Sequence, residues 1–208
     1  MEMGPDMTTL VDHPELNEVR LQVKRHQSLL GLSEEDYAAL EPHLEIIDAR
    51  KGDLLRNQGA RDMVQYFVLN GILKRVVSNP AGKEMILRFS DESDMETSYA
   101  AWRTGTPMPY AIVSVTKVRV ACLPLEQWAA FLDQRATLKQ RFELSVMEVM
   151  TEIMSHIITL HLLDAPGRFQ RFVRKHPDML KRLPQKELAS YLNLAPETLS
   201  RLKRSGKI

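Results

Sequence analysis

The sequence predicts an α+β fold: an N-terminal β-roll of the jelly-roll type (a double-stranded β-helix), one long helix, and a C-terminal helix-turn-helix. Three observations predict it. Short β-type runs punctuated by glycine fill the stretch from Leu44 to Leu123, the pattern of sandwiches and barrels. An uninterrupted helical pattern without Gly or Pro then runs from Arg135 to Leu163. From Gln185 onward, apolar, small and turn-forming residues recur at the spacing of two short crossing helices.

Composition sets the outer bounds. The 208 residues suffice for one large domain or two modest ones. No apolar run approaches the roughly 20 residues needed to cross a bilayer, and the acidic N-terminus lacks the basic-then-apolar order of a secretory signal. No membrane association and a cytoplasmic location are therefore expected. The one cysteine, Cys122, excludes an internal disulfide framework and any multi-cysteine metal or iron–sulfur cage. It reads as a small buried hydrophobe. Charge is unevenly placed: from Gly167 to Ile208 there are 11 Lys and Arg against 3 Asp and Glu, a balance of +8, while the remainder carries −7. The basic tail is where a polyanion would be met.

Along the chain, residues 1–14 read as a flexible arm and 15–133 as the barrel domain. Leu16 to Leu30 and Ser33 to Leu44 are predicted helices, the second capped by Ser33 with an acidic first turn. Strands are predicted at 44–48, 53–56, 65–70, 72–78, 84–89, 110–114 and 118–123. Asn70-Gly71 marks a tight turn and Asn79-Pro80-Ala81-Gly82 a hairpin. A short helix follows over Leu125 to Asp133.

The long helix, within 134–164, carries two apolar seams at spacings of three and four. Phe142, Val146, Val149, Ile153, His156, Leu160 and Leu163 form one; Met147, Met150, Met154 and Ile157 form the other. A helix apolar on two faces needs cover on both, so one seam is expected against the chain's own barrel and the other against a second copy. The seam Phe142, Val146, Val149, Ile153, His156 and Leu160 is assigned to that homodimer. Asp164-Ala165-Pro166-Gly167 is expected to end the helix as a hinge before the last domain, residues 165–208.

In that domain Leu188, Ala189 and Leu192 line the inner side of a first helix. Asn193 takes a turn position that favours positive φ, and Pro196 opens the second helix, whose inner face is Leu199 and Leu202. Glu197, Ser200, Arg201 and Arg204 stand three, four and seven apart on the outer stripe. An Arg there can donate twice to guanine O6 and N7, and a carboxylate can accept from cytosine N4. Lys186, Thr198, Lys203 and Lys207 are placed for phosphate contacts.

These motifs, with Lys51-Gly52-Asp53, Gln58-Gly59-Ala60, Tyr66 to Gly71 and Gly82-Lys83-Glu84 in the barrel, resemble the CRP/FNR family of bacterial transcription regulators. The resemblance spans nearly the whole chain from Leu30. It implies a cyclic-nucleotide-binding-like sensor barrel, a dimerisation helix and a winged-helix-like DNA-binding domain. It places base reading on Pro196, Glu197 and Arg201 with Ser200 beside them, and it makes double-stranded DNA and a second copy the expected partners, with RNA polymerase a further candidate.

Two departures qualify that expectation. Where family members hold a cyclic phosphate with Gly-Glu and an Arg-Ser or Arg-Thr pair, this chain has Met95-Glu96 and Pro109-Tyr110. A buried phosphate would lack its compensating cation, so cAMP binding is not expected and no cofactor is assigned. Glu96, Thr97, Ser98, Tyr99, Arg103, Pro109 and Tyr110 are the candidate effector pocket, either for another small molecule or filled by side chains. The family's β-hairpin wing is read as truncated, since Ser205 to Ile208 is too short for it. The competing reading is a small-molecule sensor or protein-docking module without specific DNA binding. An enzyme is not expected: the barrel segment has no histidine, and no His pair has metal-ligand spacing on the long helix.

Overall fold

The computed structural model describes residues 6–204. Its strands form two antiparallel sheets facing one another. The first is ordered β1 (Asp6–Thr9), β2 (Glu45–Ala49), β9 (Val118–Pro124), β4 (Val64–Asn70), β7 (Met95–Glu96); the second β3 (Leu54–Arg56), β8 (Ala111–Ser114), β5 (Leu73–Ser78), β6 (Glu84–Ser90). All seven predicted strands are present. The residues expected as a loose arm instead contribute β1, which pairs along β2 with Met7 opposite Ile47, and Leu10 is buried beyond it. The polar run Asp6-Met7-Thr8-Thr9 has no alternation to announce a strand; an exposed edge needs none, because its hydrogen bonds come from the neighbour.

At Asn70-Gly71 the chain crosses from one sheet to the other. Gly71 has φ +90°, and a Cβ there would lie 2.2 Å from the Lys117 carbonyl oxygen. This turn therefore requires glycine on two counts. The first-sheet side away from the barrel is covered by helices: Phe67 of β4 meets His26, after α1 (Leu16–Arg25), and Trp128 of α4 (Leu125–Asp133), each edge-on at 5.3 Å. After α1 in the chain comes α2 (Glu34–Leu40), whose N-cap Ser33 and Asp36 form a reciprocal capping box. A short helix, α3 (Tyr99–Arg103), follows β7.

The long helix α5 (Ala136–Leu162) lies along both the barrel and the terminal domain. Here the structure corrects the seam assignment. Phe142, Val149, Ile153 and His156 are buried within the chain, and Val146 and Leu160 are half-buried. The face left uncovered is the other one, Met147, Met150, Met154 and Ile157, widened by Leu144 and Ile158. The two seams are equally apolar in sequence; what decides between them is which side the barrel and the terminal domain occupy.

The terminal domain comprises α6 (Ala165–Lys175), α7 (Met179–Arg182), α8 (Gln185–Tyr191) and α9 (Pro196–Arg204). The predicted hinge is shorter than expected. Asp164 caps α6 by accepting from the Gly167 amide at 2.9 Å, so Pro166 and Gly167 belong to the first turn of α6, where a proline's missing N–H costs nothing. The domain packs against the barrel: Ile72, Ile86, Phe89 and Val115 share one core with Phe169, Phe172, Tyr191 and Leu199. Lys74 reaches Glu187 at 2.8 Å and Arg182 reaches Glu92 at 2.6 Å across the same boundary.

Candidate nucleic-acid interface and barrel pocket

The α8–α9 unit is built from short-range constraints. Leu188, Ala189, Leu192 and Leu199 are buried, with Leu194 and Leu202 packed on them. Ala189 admits the close crossing, and Asn193 adopts φ +50°, the left-handed conformation its short amide tolerates. The Leu194 amide then bonds the Ala189 carbonyl at 2.9 Å, closing the turn. With Leu199 wholly buried on one side of α9, Glu197, Arg201 and Arg204 are exposed on the other and Ser200 is half-buried.

The outer row makes only weak internal contacts. Arg201 reaches Thr198 Oγ1 at 3.4 Å and Arg204 Nε the Ser200 carbonyl at 3.4 Å. Both guanidiniums are exposed to solvent. Pro196 is exposed at the first turn and offers no side-chain donor. Lys186 and Lys203 are exposed, Thr198 is half-buried, and Lys207, like the wing expected at Ser205 to Ile208, lies outside the described residues.

The barrel pocket differs from the sequence expectation in its charged groups. Glu96 is fully buried and sits between two buried guanidiniums, Arg75 of β5 and Arg88 of β6. Those arginines are direct cross-strand partners, an arrangement that like charges disfavour unless an anion lies between them. Glu96 is that anion: Arg75 Nε donates to it, Arg88 Nη1 does so at 3.0 Å, and the Ser90 hydroxyl adds a third bond. Neither arginine was singled out in the sequence. For Arg75 the available signal was parity, because it shares the inward side with Leu73; for Arg88 there was none, because a bulge opposite Arg75 and Val76 breaks the alternation with Ile86.

Thr97, Ser98, Pro109 and Tyr110 line the remaining space with Arg75, Val149 and Met150. Tyr99 and Arg103 do not line it. Tyr99 bonds Glu143 on α5 at 3.0 Å and packs edge-on against Phe142, and Arg103 lies 5.9 Å from the Tyr99 ring. Tyr110 donates to the Thr97 carbonyl at 2.6 Å, and its ring carries the Arg75 guanidinium at 4.6 Å. The space measures about 70 Å³, well below the roughly 300 Å³ at which ligand pockets begin. Both guanidiniums beside this space, Arg75 and Arg88, are paired with Glu96.

From this pocket a chain of ion pairs leads outward. Arg88 Nε donates to Glu152 of α5 at 2.9 Å, and the other oxygen of Glu152 accepts from Lys175 of α6 at 2.8 Å. Burial opposes the Arg88 charge, but Asp94, Glu96 and Glu152 outweigh it and raise its pKa. Burial likewise opposes the Glu152 carboxylate, yet Lys175 and Arg88 bring its pKa down to about 2. Next to Lys175, the His156 ring lies flat on Tyr191 of α8, with centroids 3.7 Å apart.

A two-sheet β-roll with its short post-barrel helix is the architecture of a cyclic-nucleotide-binding-type domain, here followed by a long helix and a helix-turn-helix. Residues 46–135 match the family model of the cyclic nucleotide-binding domain. Over 182 residues the chain is 21% identical to the CRP-like cAMP-activated global transcriptional regulator of Mycobacterium tuberculosis, covering 82% of this chain and 81% of that protein. A CooA mutant from Carboxydothermus hydrogenoformans superposes with a TM-score of 0.70 at 13% identity, over 88% of this chain and 84% of the other. FixK2 from Bradyrhizobium japonicum does so with 0.67 at 15% identity, over 77% and 82%. The barrel thus matches the cyclic nucleotide-binding domain family, and the chain is similar in sequence and fold to regulators of the CRP/FNR type.

Among the described residues, no helix is long and apolar enough to cross a membrane, and no His, Cys, Asp and Glu cluster could hold a metal ion.

Proposed function

We propose that this chain is a sequence-specific regulator of transcription that binds double-stranded DNA as a homodimer. The observation that carries the reading is the two-sided character of α9: Leu199 is wholly buried, while Glu197, Arg201 and Arg204 are exposed without an ion pair among the described residues. Such a helix, displayed at the edge of a basic domain, suits the major groove, with Arg201 and Glu197 reading bases and Lys186, Lys203 and Thr198 on phosphates. Two heads of a dimer would meet half-sites roughly 34 Å apart. The exposed Met147, Met150, Met154 and Ile157 face supports pairing through α5, because an apolar stripe of that length is seldom left to water.

The signal is one other than cAMP, since Glu96 occupies the cations of the barrel pocket. Competition gel shifts test the base-reading role. Arg201→Ala is expected to remove the preference for the cognate half-site over random DNA while the dimer persists. Undiminished selectivity in that variant would overturn the assignment.

A further inference from the structure

Where α5 meets the terminal domain, a small open hollow of about 30 Å³ lies between α5, α6 and α8. Arg168, Arg171 and Lys175 of α6 line it; their spacing of three and four residues puts them on one face of that helix. Ser155 and Thr159 of α5 line it as well. It shares no lining residue with the space beside Glu96.

Three like charges in one row repel one another, and of the three Lys175 has a counter-ion, Glu152 at 2.8 Å. Arg168 and Arg171 are half-buried, yet no carboxylate among the described residues lies within ion-pair distance of either. Asp164, one turn before Arg168, turns its Oδ1 to the Gly167 amide at 2.9 Å instead. What the two guanidiniums meet is neutral oxygen. Arg171 Nη2 donates to Ser155 Oγ at 2.7 Å, and Arg168 Nη1 reaches the Asn193 carbonyl at 3.4 Å, longer than the ordinary range of about 2.7–3.2 Å. In the barrel, Arg75 and Arg88 are reconciled by Glu96 between them; the α6 pair has no such group from the chain.

The donors narrow the anion further. Each guanidinium offers planar, paired N–H groups that match the oxygens of a phosphate. The Ser155 hydroxyl accepts from Arg171 and keeps its own proton to give, whereas the Thr159 hydroxyl already donates to the Ser155 carbonyl at 2.7 Å. Three donor groups suit the three terminal oxygens of a phosphate better than the two of a carboxylate. The hollow is too small for a sugar or a base, so only the phosphate group enters and the rest of the molecule stays in the open mouth.

We propose that Arg168, Arg171 and the Ser155 hydroxyl form an anion site that reversibly binds the phosphate group of a small molecule, inorganic phosphate being the simplest. Bound there, the anion ties α5 to α6 and, through Arg168, to the Asn193 turn that precedes α9. The site is separate from the base-reading row of α9 and needs no part of it.

The test is equilibrium dialysis of the full chain against radiolabelled inorganic phosphate, with ionic strength held constant by chloride. Saturable binding of one phosphate per chain is expected. Arg171→Gln should weaken it at least about tenfold, the loss of one charge-assisted hydrogen bond, with Arg168→Gln as the second probe should that variant not fold. Arg174→Gln, at an exposed position of α6 outside the hollow, should bind as the wild type does. An added duplex of random sequence should leave the binding unchanged. The site is overturned if binding does not saturate, if chloride displaces the label as readily as unlabelled phosphate does, which marks an adventitious ion only, or if Arg171→Gln or Arg168→Gln retains full affinity. Release of the phosphate by the duplex overturns the assignment to a small molecule, because the same cations then belong to the surface that meets the DNA backbone.

Discussion

Arg88 and Glu152 join the barrel to the long helix: Arg88 Nε donates to one oxygen of Glu152 at 2.9 Å, and the other oxygen accepts from Lys175 of the terminal domain at 2.8 Å. Arg88 also bonds Glu96. One continuous row of charges thus runs from the pocket, through α5, to α6. A change that draws Arg88 away from Glu152 is felt by Lys175, because that carboxylate is what both cations share.

Glu152→Gln keeps the shape and removes the charge. It is expected to destabilise the chain by about 1–3 kcal/mol, the range for a partly buried charged hydrogen-bond partner, and to speed amide hydrogen exchange across α6. Exchange in α6 equal to that of the wild type would show that the apolar contacts of Phe169 and Phe172 alone hold the head.

The exposed face of α5 sets the second expectation. Met154 is 64% exposed and Met150 49%, whereas Ile153 is 9%. Met154→Asp should raise the dimer dissociation constant at least about a hundredfold by burying an unpaired charge, read by sedimentation equilibrium. Ile153→Asp should instead lower the melting temperature, since that side chain is packed inside its own chain.

Two buried histidines predict the acid limb of stability. Burial lowers the pKa of His26 and of His156 to about 4. The His26 ring is committed on both nitrogens, to the Asp94 carbonyl and the Ser28 amide. The folded pKa values lie below the unfolded value near 6.5, so this contribution is fully present above pH 6.5 and is lost as pH falls toward 4. It amounts to at most about 3 kcal/mol for each group. Urea unfolding at pH 7, 5.5 and 4.5 should show the decline, and His156→Phe should flatten part of it.

Gly71 offers an internally controlled test of the inter-sheet turn. Gly71→Ala should cost more than about 2 kcal/mol, because a methyl group meets the Lys117 carbonyl in addition to the strain of positive φ. Gly52→Ala, also at positive φ but with open space around it, should cost about 1 kcal/mol. Equal losses in urea unfolding would mean the close approach at Gly71 carries no energy of its own.

What could be read directly was local. The helix-turn-helix was legible because each requirement falls within a few residues: Ala189 at the crossing, Asn193 at positive φ, Pro196 at the helix start, Leu199 beneath the polar row. The barrel strands were legible for the same reason, through alternation and glycine turns. β1 escaped notice because its place depends on a partner strand some forty residues away. Arg75 and Arg88 escaped because each looks like an ordinary solvated cation until Glu96, 21 and 8 residues further on, is brought between them.

The amino-acid order by itself determined the architecture and the two faces of α9, because period, turn chemistry and capping act over one or two helical turns. Tertiary structure decided which side of α5 remains open, and whether the barrel pocket is empty or closed by its own ion pairs. Both depend on burial, and burial is set by what distant segments place against a side chain, so two equally apolar seams or two equally basic residues become different only once the chain has folded.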